Sequence, residues 1–418
     1  MRPKSTSDII AISFRMWYNR QMEIRRTIII VLPDDDDLRR TLGMFRAVQQ
    51  DVSKTCYNDG SPLSAVALQR AVYHNAKGTL NAQMTITALR LVAGAYISAK
   101  RNKRPATKPF TFARKSAMFL IGKRGRDADF RKDGTLSIWT VGGRKHITYR
   151  VPDDFRSMFT AAKEIDSLTV IERDGKLIGR VALTLDVPEP QGVLPVGIDL
   201  NETNALVAVD ADGRQLFVSG KVIKVANTKT RKTRSRLQRK LATRKAERRD
   251  TRSVRRVLKR LGRKQRNRTT TFCKTTAKTL IQWVPDNAVV VVEDLNMPQP
   301  SKKAKQRKGV RRRMSQWQFG QMRAAIEGKA AERGIAVALI NPAYTSQDCS
   351  RCGLRGVRRK HSFVCPHCGH AEHADKNAAR NIRDRFTSLR RSAGQSMPAE
   401  ARSPHGDAGK SPALAGGR

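Results

Sequence analysis

The chain has 418 residues, with 83 Lys plus Arg against 36 Asp plus Glu. That length allows two or three domains, and a formal net charge of +47 calls for a polyanionic partner. No uncharged apolar run reaches the ~18 residues of a membrane span, and Asp8 and Arg15 interrupt the apolar residues near the N-terminus, which argues against a signal peptide. The expectation is a soluble, cytoplasmic protein with no membrane partner. Of six cysteines, four form two Cys-x-x-Cys pairs, as metal ligands do in a reducing compartment; Cys56 and Cys273 stand alone.

Ile24 to Leu32 reads as a strand, and Pro33 with the Asp34–Asp37 run opens a helix whose positive dipole end suits acids. Leu38, Leu42, Phe45 and Val48 recur at helical spacing, and a second helical stretch covers about 65–99, so 34–100 is a helical insert after one strand. From 110 to 188 the period shifts towards two, with turns at Val141-Gly142-Gly143 and Asp174-Gly175. With the first strand (1–33), residues 101–190 would make a small β-barrel or sandwich. Pro188, Pro190 and Pro195 mark a linker, and the tail from 392 to 418 is Gly, Ala, Ser and Pro in character, which predicts disorder.

A new α/β pattern spans 191–391. VGIDL, NALVAV and QLFVSG read as the antiparallel opening of an RNase H-like sheet, with Asp199 inside its first strand. A carboxylate among Val196, Ile198 and Leu200 is costly to bury unless it meets a cation or hydrogen-bond donors. AVVVVEDL (288–295) suits a strand buried on both faces with Glu293 near its carboxyl end, where active sites of open α/β sheets gather. Asp375 opens a helix carrying Ala378, Ala379 and Ile382. Singly, each acid has an ordinary reading as a strand-end or helix-capping residue. Jointly, Asp199, Glu293 and Asp375 match a site for two Mg²⁺ ions that cut a phosphodiester.

Cys349, Cys352, Cys365 and Cys368 form C-x₂-C, a twelve-residue gap and C-x₂-C, the ligand set of one structural Zn²⁺ in a module over 341–373. His361, His367, His370 and His373 crowd the same module but four thiolates already close the site. Between Lys221 and Arg268 lie 22 Lys or Arg and two acids, with Leu237, Leu241, Val254, Val257, Leu258 and Leu261 as a thin apolar stripe. That describes a basic helical hairpin, placed at 227–285, with Arg231, Lys232, Arg234, Arg248 and Arg249 as candidate nucleic-acid contacts. Lys302–Arg313 adds eight Lys or Arg as a second basic run.

GIDLN at Asp199, VVVVEDLNM at Glu293 and NPAYTSQDCSRCG…FVCPHCG…HADKNAARNI around Asp375 closely resemble the three RuvC motifs and zinc insert of TnpB, the transposon-encoded nuclease family related to compact type V CRISPR effectors. The resemblance covers most of 193–386. It implies a RuvC nuclease domain with an inserted zinc ribbon, preceded by a wedge barrel carrying a helical recognition insert. It further implies an RNA-guided DNA endonuclease with guide RNA and double-stranded target DNA as partners. Asp199, Glu293 and Asp375 would be the catalytic acids and the four cysteines the zinc ligands. Asn201 departs from the Gly usual in the family two residues after the first Asp. No HNH motif is visible. Two rival readings are an RNA-guided binder that does not cut and a DDE-type transposase. The sequence identifies no protein partner.

Overall fold

A computed structural model describes residues 23–58, 65–76, 78, 80–103, 106–112, 115–122, 127–190, 192–295 and 319–393. It divides into two compact units, one over Glu23–Asp186 and the other from Val187 onward. The basic run 302–313 and all of the tail beyond 393 lie outside the described residues. No helix among those described is long and apolar enough to cross a membrane.

In the first unit the chain order is β1 (Glu23–Val31), α1 (Asp36–Asn58), α2 (Ala65–Ala76), α3 (Ala82–Arg101), β2 (Ser116–Leu120), β3 (Ala128–Phe130), β4 (Thr135–Thr140), β5 (Gly143–Thr148), α4 (Asp153–Thr160), β6 (Glu164–Arg173) and β7 (Lys176–Asp186). Two antiparallel sheets result, β1-β7-β6-β2 and β3-β4-β5. Single bridges join their edges at Ile121–Ala128 and Val31–Arg150, so the strands run round in a ring. The helices share this core, with Leu38, Leu42, Phe45, Met84 and Leu89 buried in one cluster with Ile30, Phe119, Leu136 and Val181. Asp35 caps α1 by accepting the Leu38 N–H at 2.8 Å, and its other oxygen holds Lys145 of β5 at 2.9 Å.

The second unit follows as β8 (Leu194–Asp199), β9 (Asn204–Val209), β10 (Gln215–Ser219), α5 (Lys221–Ala246), α6 (Arg252–Trp283), β11 (Ala288–Glu293), α7 (Phe319–Glu332), β12 (Ala336–Ile340), β13 (Val357–Arg359), β14 (Ser362–Val364), β15 (Ala371–His373) and α8 (Ala374–Ala393). Its five-stranded sheet runs β10-β9-β8-β11-β12, antiparallel through the first three strands and parallel through the last three. α6 and α7 cover one face, where Ile198, Val290 and Val292 pack with Leu280, Met322 and Ile326. α8 covers the other, where Val289, Val291, Ala338 and Ile340 pack with Ile382 and Phe386. β13, β14 and β15 form a separate small sheet.

The helical hairpin begins at Lys221, earlier than the expected residue 227, and turns at 247–251. Val222, Ile223 and Val225 look strand-like by propensity, yet only Ile223 is buried, and one buried contact per turn is a helical spacing. Val254 is buried in the seam while Leu237, Leu241, Val257, Leu258 and Leu261 are half-buried, as expected of two helices lying together with the remaining surface in solvent.

Candidate functional site

The sheet register explains why two acids from distant parts of the chain become neighbours. Val292 pairs with Ile198 in parallel strands, so one residue further Glu293 stands beside Asp199. Ile198 and Val292 face α6 and α7; the alternation of a strand therefore turns Asp199 and Glu293 to the α8 face. Asp294 takes the opposite face and pairs with Arg323 of α7 at 3.3 Å.

Gly197 brings α8 to the same place. A Cβ built on Gly197 would stand 2.0 Å from the Ala379 carbonyl oxygen and 2.7 Å from the Arg383 nitrogen, so only glycine lets the helix backbone lie this close to β8. Asp375 is one helical turn, about 6 Å, before Ala379. Asp199 lies two residues, about 6.6 Å, beyond Gly197. The close approach thus carries the two carboxylates to one end of the sheet. Gly197→Ala is expected to lower stability by about 2–3 kcal/mol through backbone overlap, visible as a melting temperature several degrees lower; an unchanged melting curve would mean α8 has room to move away.

The acids are enclosed. Asp375 is 1% exposed and Asp199 8%. Burial, then the negative charges of Glu293 and Asp375, push Asp199 up to about 8, against a hydrogen bond from Asn201 and the charge of Arg358. Burial also pushes Glu293 upward, opposed by the Thr345 hydroxyl, which donates to its Oε1, and by the charges of Arg385 and Arg358. Tyr344, at a φ of +62°, turns the chain just ahead of Thr345, a strained conformation for an aromatic residue.

Amides complete the enclosure. Asn201 donates to Asp199 Oδ2 at 3.0 Å, while its own Oδ1 accepts the Thr203 and Asn204 N–H groups at 2.9 and 2.8 Å. Asn204 donates to Asp375 Oδ2 at 2.8 Å. Asn201 therefore both shapes the β8–β9 turn and orients Asp199, roles a glycine side chain has no atoms to fill. Arg358, on β13, donates to Asp375 Oδ1 at 2.6 Å. Sequence reasoning passed over Asn204, Thr345 and Arg358; only Gly197, an isolated glycine inside an apolar strand, carried a local signal of close approach.

The donor set is hard oxygen, as Mg²⁺ prefers, and the mutual repulsion that raises Asp199 is what a divalent cation would relieve. Beside it, the ligand atoms of Cys349, Cys352, Cys365 and Cys368 lie within 4.8 Å of one another. Cys349 and Cys368 sulfurs are 3.7 Å apart, and those of Cys352 and Cys365 3.5 Å. Both far exceed a disulfide bond and approach the ~3.8 Å edge of a tetrahedron with 2.3 Å Zn–S bonds. Burial opposes the Cys365 thiolate, but the backbone N–H groups of Cys368 and His367 and the neighbouring thiols outweigh it and bring that thiol down to about 6. Cys56 and Cys273 are buried elsewhere, and burial alone pushes Cys273 up to about 11.

The histidines divide. His370 contacts Glu372 at 2.9 Å, His361 stacks on His373 with centroids 5.5 Å apart, and His373 Nδ1 accepts the Asp375 N–H at 3.3 Å. The five basic candidates do not come together. Lys232 is exposed and Arg231 half-buried, whereas Arg234 donates to Gln265 Oε1 of α6 at 2.9 Å inside the hairpin. Arg248, at a φ of +54°, and Arg249, paired with Glu247 at 3.4 Å, sit at the hairpin tip, about 20 Å along the helix from Arg231.

Two family models match this chain: a Cas12f1-like TNB domain over residues 319–382, and OrfB_IS605, described as a probable transposase, over 167–304. The CRISPR-associated endodeoxyribonuclease Cas12f1 of Sulfoacidibacillus thermotolerans is 44% identical over 72 residues, which is 16% of this chain and 17% of that protein. A TnpB-like protein of Aquifex aeolicus is 32% identical over 79 residues, 18% of this chain and 26% of its own. InsQ of Escherichia coli K12, a putative RNA-guided DNA endonuclease, is 31% identical over 111 residues, 23% of this chain and 28% of its own. The chain thus spans less than a third of the length of each of these relatives. The models and relatives converge on one lineage: residues 167–304 and 319–382 are similar to TnpB-like and Cas12f1-like proteins.

Proposed function

We propose that this protein is an RNA-guided DNA endonuclease that hydrolyses phosphodiester bonds at one RuvC-like site made by Asp199, Glu293 and Asp375. The observation that carries this reading is the convergence of three carboxylates at one end of the mixed sheet, where the strand register sets Glu293 beside Asp199 and where burial first, then the charges of Glu293 and Asp375, push Asp199 up to about 8. Two Mg²⁺ ions bound there would activate the attacking water and stabilise the leaving oxygen. The chain's own part is to hold the carboxylates ready. Asn201 and Asn204 fix the carboxylates of Asp199 and Asp375 from the β8–β9 turn, and Thr345 fixes Glu293. Arg358 brings a positive charge to Asp375 from the zinc module and would face a phosphate entering there.

The sheet order and the helices on both faces support the RNase H-like reading of this unit. The cluster of four cysteines supports one structural Zn²⁺, closed to substrate. The ring of strands with its helices in the first unit supports a wedge barrel with a recognition insert that hold guide RNA. The hairpin of α5 and α6, basic over most of its surface, supports a phosphate-binding path for RNA or target DNA.

A cleavage assay tests this reading. The protein, co-expressed with the DNA flanking its gene and purified with any bound RNA, is mixed with double-stranded DNA carrying a randomised segment beside the guide match. Cutting should require both the RNA and Mg²⁺. RNA-independent joining of DNA ends would instead favour the transposase that one matching family model is named for.

A further inference from the structure

The row of side chains that carries the acids continues past them to the sheet edge. Asp199 pairs with Val207 on β9, and Val207 pairs with Phe217 on β10. Directly opposed residues share a face, so Glu293, Asp199, Val207 and Phe217 stand in line across four strands on the α8 side. Val207 is buried against Ala379. Phe217 is 41% exposed, and among the described phenylalanines it is the one left open to solvent.

Phe217 is not isolated. His373, two residues before Asp375, meets its ring edge-on with centroids 5.3 Å apart and planes at 86°, and exposed His361 stacks on His373 at 24°. Three rings thus lead from the open edge of β10 to the buried Asp375. At about 4.8 Å per strand, Phe217 lies roughly 10 Å from Asp199, the reach of a nucleotide adjoining the one held at the carboxylates. A solvated aromatic next to a phosphate-cutting centre has a natural ligand in a nucleobase, because every base offers a π-face to stack on.

We infer that Phe217, backed by His373 and His361, is a base-stacking subsite that holds a nucleobase of single-stranded DNA beside the phosphate cut at Asp199, Glu293 and Asp375. The inference rests on the nuclease reading for the position of the cut, but the stacking itself does not depend on cutting. It makes the subsite tolerant of base identity, since stacking reads a π-face and no hydrogen-bonding edge.

Photocrosslinking with single-stranded DNA tests it. Oligonucleotides carrying one 5-iodouracil at successive positions are bound to the full-length, zinc-loaded protein with Ca²⁺ in place of Mg²⁺, irradiated, and the adducts mapped by mass spectrometry. The expected adduct is on Phe217 or on His373 or His361 beside it. Phe217→Ala should remove the adduct and weaken oligonucleotide binding roughly ten-fold, whereas Phe217→Trp should retain both. Adducts only elsewhere, unchanged affinity in Phe217→Ala, or equal loss in Phe217→Trp would each overturn the subsite. Failure of the nuclease reading is separate: DNA cutting that survives Asp199→Ala would refute the site while leaving the adduct in place.

Discussion

Asp199→Asn is expected to abolish DNA cutting, by about 10³-fold or more, while guide and target binding persist. Each metal-held carboxylate contributes several kcal/mol of transition-state stabilisation, and each 1.4 kcal/mol is a factor of ten. Asp199 is raised by burial and by the charges of both other acids, so it stands where a cation would relieve the most repulsion. The same substitution separates chemistry from folding through the sign of its effect on stability. A carboxyl whose folded pKa is raised to about 8 binds its proton more tightly in the native state. The native state is therefore favoured at low pH and loses that advantage as pH rises from about 4 towards 8. In buffer free of added divalent cation, with zinc retained, Asp199→Asn removes this penalty, and its melting temperature at pH 8 should exceed that of the wild type. An inactive but stabilised protein marks a metal ligand; an inactive and destabilised one marks a structural residue. Glu293→Gln and Asp375→Asn should likewise lose cutting, measured by single-turnover cleavage of guided target.

The second large effect is expected from the cysteines. Cys365→Ser, or removal of zinc by a chelator, should unfold the module and reduce cutting by at least about ten-fold, since structural zinc binding is itself folding energy. The reason lies in how the module is fastened to α8. Asn377 accepts the Ser350 N–H at 2.9 Å and donates to the Asp348 carbonyl at 2.8 Å, and Asn381 donates to the carbonyls of Thr345 and Asp348 at 2.8 and 2.7 Å. The same module carries Arg358 to Asp375. Loosening the thiolates therefore releases the helix start on which Asp375 sits and the turn that presents Thr345 to Glu293. Elemental analysis should find one zinc per chain; a zinc-free protein with full activity would contradict this role.

The acids were legible because each breaks a local pattern: Asp199 and Glu293 are charges in apolar strands, and Asp375 heads a helix with an alanine face. The cysteines were legible by spacing alone. Asn204, Thr345 and Arg358 were not, because their partners lie 171, 52 and 17 residues away and nothing in a polar residue on a turn or a hairpin announces which carboxylate it will meet. The basic hairpin was legible as a composition but not as a surface. Charge counts do not reveal that Arg234 turns inward to Gln265 while Arg248 and Arg249 end at the tip. In the first unit, turn residues located hairpins, whereas the edge bridges Ile121–Ala128 and Val31–Arg150 that close the ring are single long-range pairings with no sequence signature.

Asp199, Glu293 and Asp375 are proposed to hold divalent cations jointly. Anomalous diffraction from crystals of the protein soaked in Mn²⁺, which shares the oxygen preference of Mg²⁺, tests it most directly. Two manganese peaks about 3.5–4 Å apart are expected within coordinating reach of the three carboxylates, with the Asp375–Arg358 pair loosened. Manganese bound elsewhere, with Arg358 still seated on Asp375, would contradict it.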